Sequence, residues 1–291
     1  MSRGGARIGS HGGRCRTGPW HWPHAPDGPM SMPWESMSAR SRPHPVWWWF
    51  PAPTSTLPPA CRWSPRWPSY VVDVPGQPGL SAADRPGHHR SARYGQWLQE
   101  VLDEISPGPT VVVGHSLSGA IALACDVPRL TGRVLVSPAG LTRLKVTGRV
   151  LAATLPWLAR PTEARSATLL RQMHGSGRYP SAEPVTWMTL LARSCRSGLA
   201  PAPLPEGTLA RSRRVTNVVA TGEHDVFLPP SRLAAPAFRH LGVAVTTVPG
   251  AGHLVVEEHP ETIVTLVAAL MSGNMADGLL RRPLTTTSRL G

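Results

Sequence analysis

The stretch that most restricts the fold of this chain is Thr110-Val111-Val112-Val113 running into Gly114-His115-Ser116-Leu117-Ser118-Gly119 and then Ala120-Ile121-Ala122-Leu123-Ala124. A β-branched run, a glycine-flanked serine and a run of small apolar residues predict strand, sharp turn and helix, with the serine at the apex. Such a turn lifts a hydroxyl clear of its neighbours, and small residues on either side let strand and helix approach without clash. Ser118 stands where the G-x-S-x-G pattern has its second glycine, with Gly119 directly behind it. Read alone, the hexapeptide also fits an ordinary tight turn.

Two downstream segments carry the partners that a serine nucleophile requires. Val215-Thr216-Asn217-Val218-Val219-Ala220 reads as a strand running into Thr221-Gly222-Glu223-His224-Asp225, which puts Asp225 just past the strand end. Val243-Ala244-Val245-Thr246-Thr247-Val248 reads as another, ending at Pro249-Gly250-Ala251-Gly252-His253, and Pro260 to Met271 reads as a closing helix. A serine alcohol is too weakly acidic to attack a carbonyl unaided, so an imidazole must take its proton and a carboxylate must hold the imidazole in the right tautomer. Ser116, Asp225 and His253 supply nucleophile, acid and base in that chain order. Glu223 is a competing acid and His224 a competing base, but the position past the strand end favours Asp225, and His224 beside the acid suits a loop residue. Open alternatives are Asp225 as a turn cap and His253 as a packed loop histidine.

With these motifs in place the chain resembles the α/β-hydrolase fold superfamily, of the esterase-like type with a helical cap, over roughly Ser69 to Met271. GHSLSG, GEHDVFLPP and PGAGHLVVEEHPE carry the resemblance, and Tyr70-Val71-Val72-Asp73-Val74-Pro75-Gly76-Gln77-Pro78-Gly79-Leu80-Ser81 resembles the strand and turn preceding the elbow. The resemblance implies an α/β class with a mostly parallel central sheet flanked by helices and an inserted helical cap. It makes Ser116 the nucleophile, His253 the base, Asp225 the acid and the Leu117 backbone N–H one oxyanion donor. It further implies cleavage of a small-molecule ester or similar acyl substrate through an acyl-enzyme, with no cofactor. Perhydrolase or haloperoxidase, C–C bond hydrolase and aminopeptidase chemistry use the same fold and stand as alternatives.

The segment between Ser137-Pro138-Ala139-Gly140 and Val215 is too long for a connection inside a compact α/β unit. Val146 to Leu158, Ala164 to Met173 and Pro184 to Arg193 show helical spacing, broken at Gly175, Pro180 and Pro201. The expected organisation is a core of 68–140 and 206–271, a helical cap over 141–205 acting as a lid, and a loose tail over 272–291. His115, Trp157, Trp187 and Met188 are candidate substrate-lining residues, with Met173 and Leu191 beside them. An equally open reading makes the apolar ones the core of the lid itself.

Residues 1–67 fit none of this and read as an irregular, disordered leader. The segment is crowded with Trp, Pro, Gly and Arg and contains Trp47-Trp48-Trp49. The family places its oxyanion strand, in the middle of the sheet, just before Tyr70. Since Trp has the single codon TGG, reading Trp47-Trp48-Trp49-Phe50 from the third base of each codon forces three valines. The following triplets permit Pro-Gly-Thr-Asn, a turn where the family has its oxyanion loop. The leader is therefore read as an out-of-frame translation upstream of about Trp67. A strand covered on both faces favours Val and Ile, whereas three consecutive indoles would overfill both layers. One alternative is a naturally disordered extension, and another is an inactive product of the disrupted frame.

Net charge of +13 would ordinarily point to nucleic acid or an anionic surface. Here it is almost entirely arginine, Lys145 being the lone lysine, and Arg with Gly, Pro and Ala in excess is what GC-rich codons produce. Arg211-Ser212-Arg213-Arg214 lacks aromatic interleaving, so it reads as a solvated approach to a strand and a nucleic-acid partner is not expected. Cys125 and Cys195 imply no disulfide framework, and His88-His89 lacks the neighbouring ligands of a metal site. The N-terminus shows no apolar signal region and no segment approaches the ~18 apolar residues of a membrane span, so the expected setting is cytoplasmic without a membrane partner. Oligomeric state is not legible.

Overall fold

A computed structural model describes residues 15–18, 44–48, 69–77, 85–87, 90–106, 108–195 and 201–273. Among them are the strands β1 (Cys15–Gly18), β2 (His44–Trp48), β3 (Ser69–Val72), β4 (Thr110–His115), β5 (Leu130–Val136), β6 (Thr216–Gly222) and β7 (Val245–Val248). They form one sheet in the order β1-β3-β2-β4-β5-β6-β7, and every pairing is parallel.

Parallel neighbours need crossover connections, and helices supply them. α1 (Arg90–Ile105) leads into β4, and α2 (Leu117–Ala124) joins β4 to β5. Between β5 and β6 lie α3 (Gly148–Ala159), α4 (Glu163–Met173), α5 (Ala182–Ser194) and α6 (Glu206–Ser212). α7 (Pro230–Leu241) joins β6 to β7, and α8 (Val255–Glu258) and α9 (Pro260–Met271) follow.

The strand period of two sorts apolar side chains onto two faces. Val112, Leu135 and Val219 pack with Trp97, Leu98 and Leu102 of α1, Ile121 and Leu123 of α2, and Leu233 and Leu241 of α7. Val111, Val113, Val134, Val136, Val218 and Ala220 point the other way, onto Val255 and Val256 of α8 and Ile263, Leu266 and Val267 of α9. Near-continuous valine runs are the composition that a strand covered on both sides demands.

The helices expected between β5 and β6 are observed with ends shifted by a few residues. Thr147 and Thr162 start α3 and α4 by accepting from Val150 N and Arg165 N. Within the segment read as a leader, Cys15–Gly18 and His44–Trp48 pair as strands, and β2 lies between β3 and β4 with Val46 beside Val112 and Trp47 beside Val113. The rest of the leader, His88-His89, the whole of Pro78–Ser81 and the tail beyond residue 273 lie outside the described residues. Among the described residues no helix is long and apolar enough to cross a membrane.

Candidate active site

All the described strands being parallel, their carboxyl ends lie along one edge of the sheet, where ligands of open α/β folds bind. β4, β6 and β7 lead there to Ser116, Asp225 and His253. Main-chain bonds stitch this edge together: Ser116 N–H donates to Val136 O at 3.0 Å, Ala139 N–H to Ser116 O at 2.9 Å and Ser137 N–H to Ala220 O at 2.7 Å.

Ser116 has φ 53° and ψ −116°, a backbone conformation strained for an L-residue. The turn is held by close packing. A Cβ on Gly114 would lie 2.6 Å from Ser118 O and 2.9 Å from Gly119 Cα, and one on Gly119 would lie 2.7 Å from Pro138 Cβ. The glycine that must lack a side chain behind the nucleophile position is therefore Gly119, and the Ser118 side chain is accommodated and buried. This explains why the departure from the G-x-S-x-G spacing leaves the elbow intact.

His253 Nδ1 lies 2.8 Å from Asp225 Oδ2, and His253 Nε2 lies 3.1 Å from Ser116 Oγ. Asp225 is buried and accepts from Phe227 N and Leu228 N, each at 2.8 Å, and from Thr221 Oγ1 at 3.2 Å. Burial alone would raise its pKa, but the facing His253 and the hydrogen bonds from His253, Ser137 and Leu228 outweigh burial and hold the carboxyl well below the ordinary range. An ionised Asp225 only accepts, so His253 Nδ1 carries the proton and Nε2 is left to accept from the Ser116 hydroxyl. Phe227 packs edge-on against the His253 ring at 4.9 Å between centroids. Leu117 opens α2, so its N–H has no intrahelical acceptor and sits at the positive end of that helix, beside Ser116.

The competing acid and base stand elsewhere. Glu223 accepts from Gly250 N at 2.9 Å and its side chain is 51% exposed, while His224 Nε2 lies 3.9 Å from that same carboxylate. Of the lining candidates, Met188 packs in a cluster with Leu170, Val185 and Leu254, the residue after His253. Trp157 directs its indole N–H to Ser166 Oγ at 3.1 Å, between α3 and α4, and Trp187 is half-buried on α5. Leu191 is half-buried on the same helix.

His115 is buried, and its Nε2–H donates to the main-chain carbonyl of His253 at 2.8 Å, with the two rings 5.0 Å apart. Burial first, and then the neighbouring His253, push its pKa from 6.5 down to about 3. Between those two values the unfolded chain binds a proton that the folded chain refuses, so stability falls as pH drops from 6.5 towards 3. Asp225, with its depressed pKa, begins to lose its contribution as pH falls past the ordinary value of 3.8. Urea unfolding at pH 7, 5 and 4 is expected to show a shallower acid loss for His115→Gln than for the wild type. Identical slopes would contradict a neutral His115.

Sequence reasoning left one side chain of this region unassigned. Glu258 is buried and accepts from the N–H of Gly252, directly before His253, at 2.7 Å. The signal was a carboxylate in the apolar run after His253, where a solvent-facing loop needs none.

Comparison with known proteins agrees with this architecture. Esterase Rv0045c of Mycobacterium tuberculosis is 31% identical over 152 residues, 52% of this chain and 46% of that protein. The match therefore spans under half of that relative's length. Carboxylesterase CesB (YbfK) from Bacillus subtilis superposes with a TM-score of 0.60 at 17% identity, covering 80% of this chain and 86% of that one. The 2-hydroxy-6-oxo-6-phenylhexa-2,4-dienoate hydrolase (BphD) of Rhodococcus sp. strain RHA1 superposes with a TM-score of 0.62 at 18% identity, covering 79% and 91%. At such identities these structures speak for the fold alone. The model of the alpha/beta hydrolase family matches residues 10–266, and with the sheet order and the elbow at Ser116 in place, the chain belongs to that family.

Proposed function

We propose that this chain is a serine hydrolase acting on a small-molecule ester or similar acyl substrate. The observation that carries the reading is the hydrogen-bonded line from Ser116 Oγ through His253 to Asp225, at 3.1 and 2.8 Å, with the serine on a strained turn at the start of a helix. Ser116 Oγ attacks the substrate carbonyl while His253 Nε2 takes its proton, and Asp225 stabilises the imidazolium that forms. The Leu117 N–H donates to the developing oxyanion. The resemblance to the family calls for a second donor after β2, in a segment that lies outside the described residues. His253 then protonates the departing alcohol, leaving an acyl-serine, and next takes a proton from water as the water attacks the acyl carbon. Collapse of that intermediate releases the acid and returns the proton to Ser116.

The esterase match favours an ester among the reactions open to this fold. The helices between β5 and β6 serve as the cap, with Met188 and Met173 as an apolar wall near His253. A cytoplasmic setting suits the free thiols of Cys125 and Cys195. Burial pushes the Cys125 thiol up to about 12, which makes it inert packing.

Incubation with a fluorophosphonate probe, followed by peptide mass mapping, tests the reading. The expected adduct is on Ser116, absent from Ser116→Ala. A folded chain that takes no label at Ser116 would overturn the reading, and labelling only after the leader is restored to the other frame would identify this polypeptide as an inactive copy.

A further inference from the structure

The loop presenting His253 is fastened to the inserted helices by a carboxylate that the chemistry above does not use. Glu258, the last residue of α8, has a side chain only 2% exposed. Its Oε2 accepts from Gly252 N at 2.7 Å, and its Oε1 accepts from Gly175 N at 2.6 Å, just past the end of α4. Beside this joint, Met173 O accepts from His253 N itself at 2.6 Å. Leu254, next in the chain, is buried against Leu170 of α4 and Val185 of α5. Arg178 closes the arrangement from the solvent side, its Nε 3.9 Å from Glu258 Oε1 and its Nη1 donating to Glu258 O at 3.2 Å.

We propose that Glu258 is a positioning residue for His253, one that makes the alignment of the imidazole depend on the docking of the inserted helices. The proposal rests on the serine-hydrolase reading. Pro249-Gly250-Ala251-Gly252 has little side chain of its own to fix its course, and Gly252 runs so close to the connection after α4 that a Cβ would collide with Met173 O and the His174 main chain. Two charge-assisted bonds from one buried carboxylate set that approach. They hold the residue before His253 on one side and the inserted segment on the other. A proton transfer across 3.1 Å tolerates little displacement, so a small shift of this loop acts directly on His253 Nε2.

Glu258→Gln keeps the shape but turns one acceptor into an N–H₂ donor, which opposes one of the two main-chain N–H groups. The expected result is roughly a 10²-fold slower fluorophosphonate labelling of Ser116 and a matching fall in kcat, as for a small misplacement of a catalytic group. KM on a soluble ester should stay within about threefold, as for an interaction made only in the transition state. The far-downfield proton resonance of His253 Nδ1–H should broaden in the variant. Val101→Ala, in the core on α1, serves as a control with a comparable loss of Tm and should keep the labelling rate and the resonance. Arg178→Met, an exposed change that leaves the core intact, should slow labelling roughly threefold, the scale of one surface pair.

Labelling of Glu258→Gln at the wild-type rate overturns the proposal, as does an equal loss in Val101→Ala. If Glu258→Gln does not fold, an unchanged rate in Arg178→Met overturns it. A wild-type chain that takes no label overturns the serine-hydrolase reading, and this proposal with it.

Discussion

Ser116→Ala is expected to lower kcat for ester cleavage by on the order of 10⁶-fold, while the variant folds as well as the wild type. In the proposed mechanism the size follows from what is lost: without Oγ no acyl-enzyme forms, and His253 Nε2, 3.1 Å away, has no proton to accept. Ser118, two residues on, is buried in the first turn of α2. A loss of that size corresponds to ~8 kcal/mol of transition-state stabilisation. Removal of one small oxygen leaves the packing of Gly114 and Gly119 untouched, so urea unfolding should change by less than about 1 kcal/mol, as for other changes that spare the core. Steady-state kinetics on purified variant and parent decide the matter, and retention of a tenth of the activity would place the nucleophile elsewhere.

Arg133→Met is expected to be the most destabilising single change in the β5 strand, by ~3–5 kcal/mol, from unsatisfied polar groups and imperfect repacking. Arg133 is fully buried, and burial lowers its pKa to about 10. Its guanidinium donates to Ala122 O at 2.8 Å, Cys125 O at 2.6 Å, Ser212 O at 3.1 Å and Asn217 Oδ1 at 3.5 Å. Two of these are carbonyls at the C-terminal end of α2, where the helix dipole favours a cation. A methionine fills similar length but leaves all four acceptors without this donor. Against a typical net stability of about 5–15 kcal/mol the loss is large, so the chemical-denaturation midpoint should fall steeply. Arg133 sits at the opposite end of α2 from Ser116, so the fraction that remains folded should label with fluorophosphonate at the parental rate. A midpoint shift worth under ~1 kcal/mol would show that the guanidinium's bonds are offset by its desolvation.

The core of the fold was legible because its signals are local. Valine runs bounded by glycine mark β4 and β6, and the helical spacing after Gly140 marks the insert to within a few residues. Ser116, Asp225 and His253 stood out because each follows a strand end, and parallel strands bring such ends to one edge. The leader was different. Trp47 and Trp48 give no two-residue alternation, yet the main chain of His44–Trp48 lies between β3 and β4, where reading the codons in the other frame forces valines. Long-range polar bonds were also hidden. Glu258 meets Gly175 across 83 residues, and Arg133 meets Ser212 across 79. No period or spacing in a single chain encodes such meetings. Trp157, a candidate wall of the substrate site, directs its indole N–H to Ser166 Oγ, a partner nine residues on that the spacing of apolar residues does not reveal.

The all-parallel pairing of the sheet also bears on how the molecule comes into being. Among the described residues no strand pair is closed by a tight hairpin, and the hydroxyl of Ser116 meets the imidazole of His253 across 137 residues. Closing loops of that length costs chain entropy before any contact returns it, so high-contact-order assemblies of this kind fold slowly and leave apolar strands exposed in the meantime. The helices α1 and α2 can form early from nearby contacts, whereas Ser116 meets His253 only once the segment after β7 is seated. In the proposed mechanism competence to react is therefore a late event on the folding path, and the time before it is when the valine-rich strands are most open to aggregation.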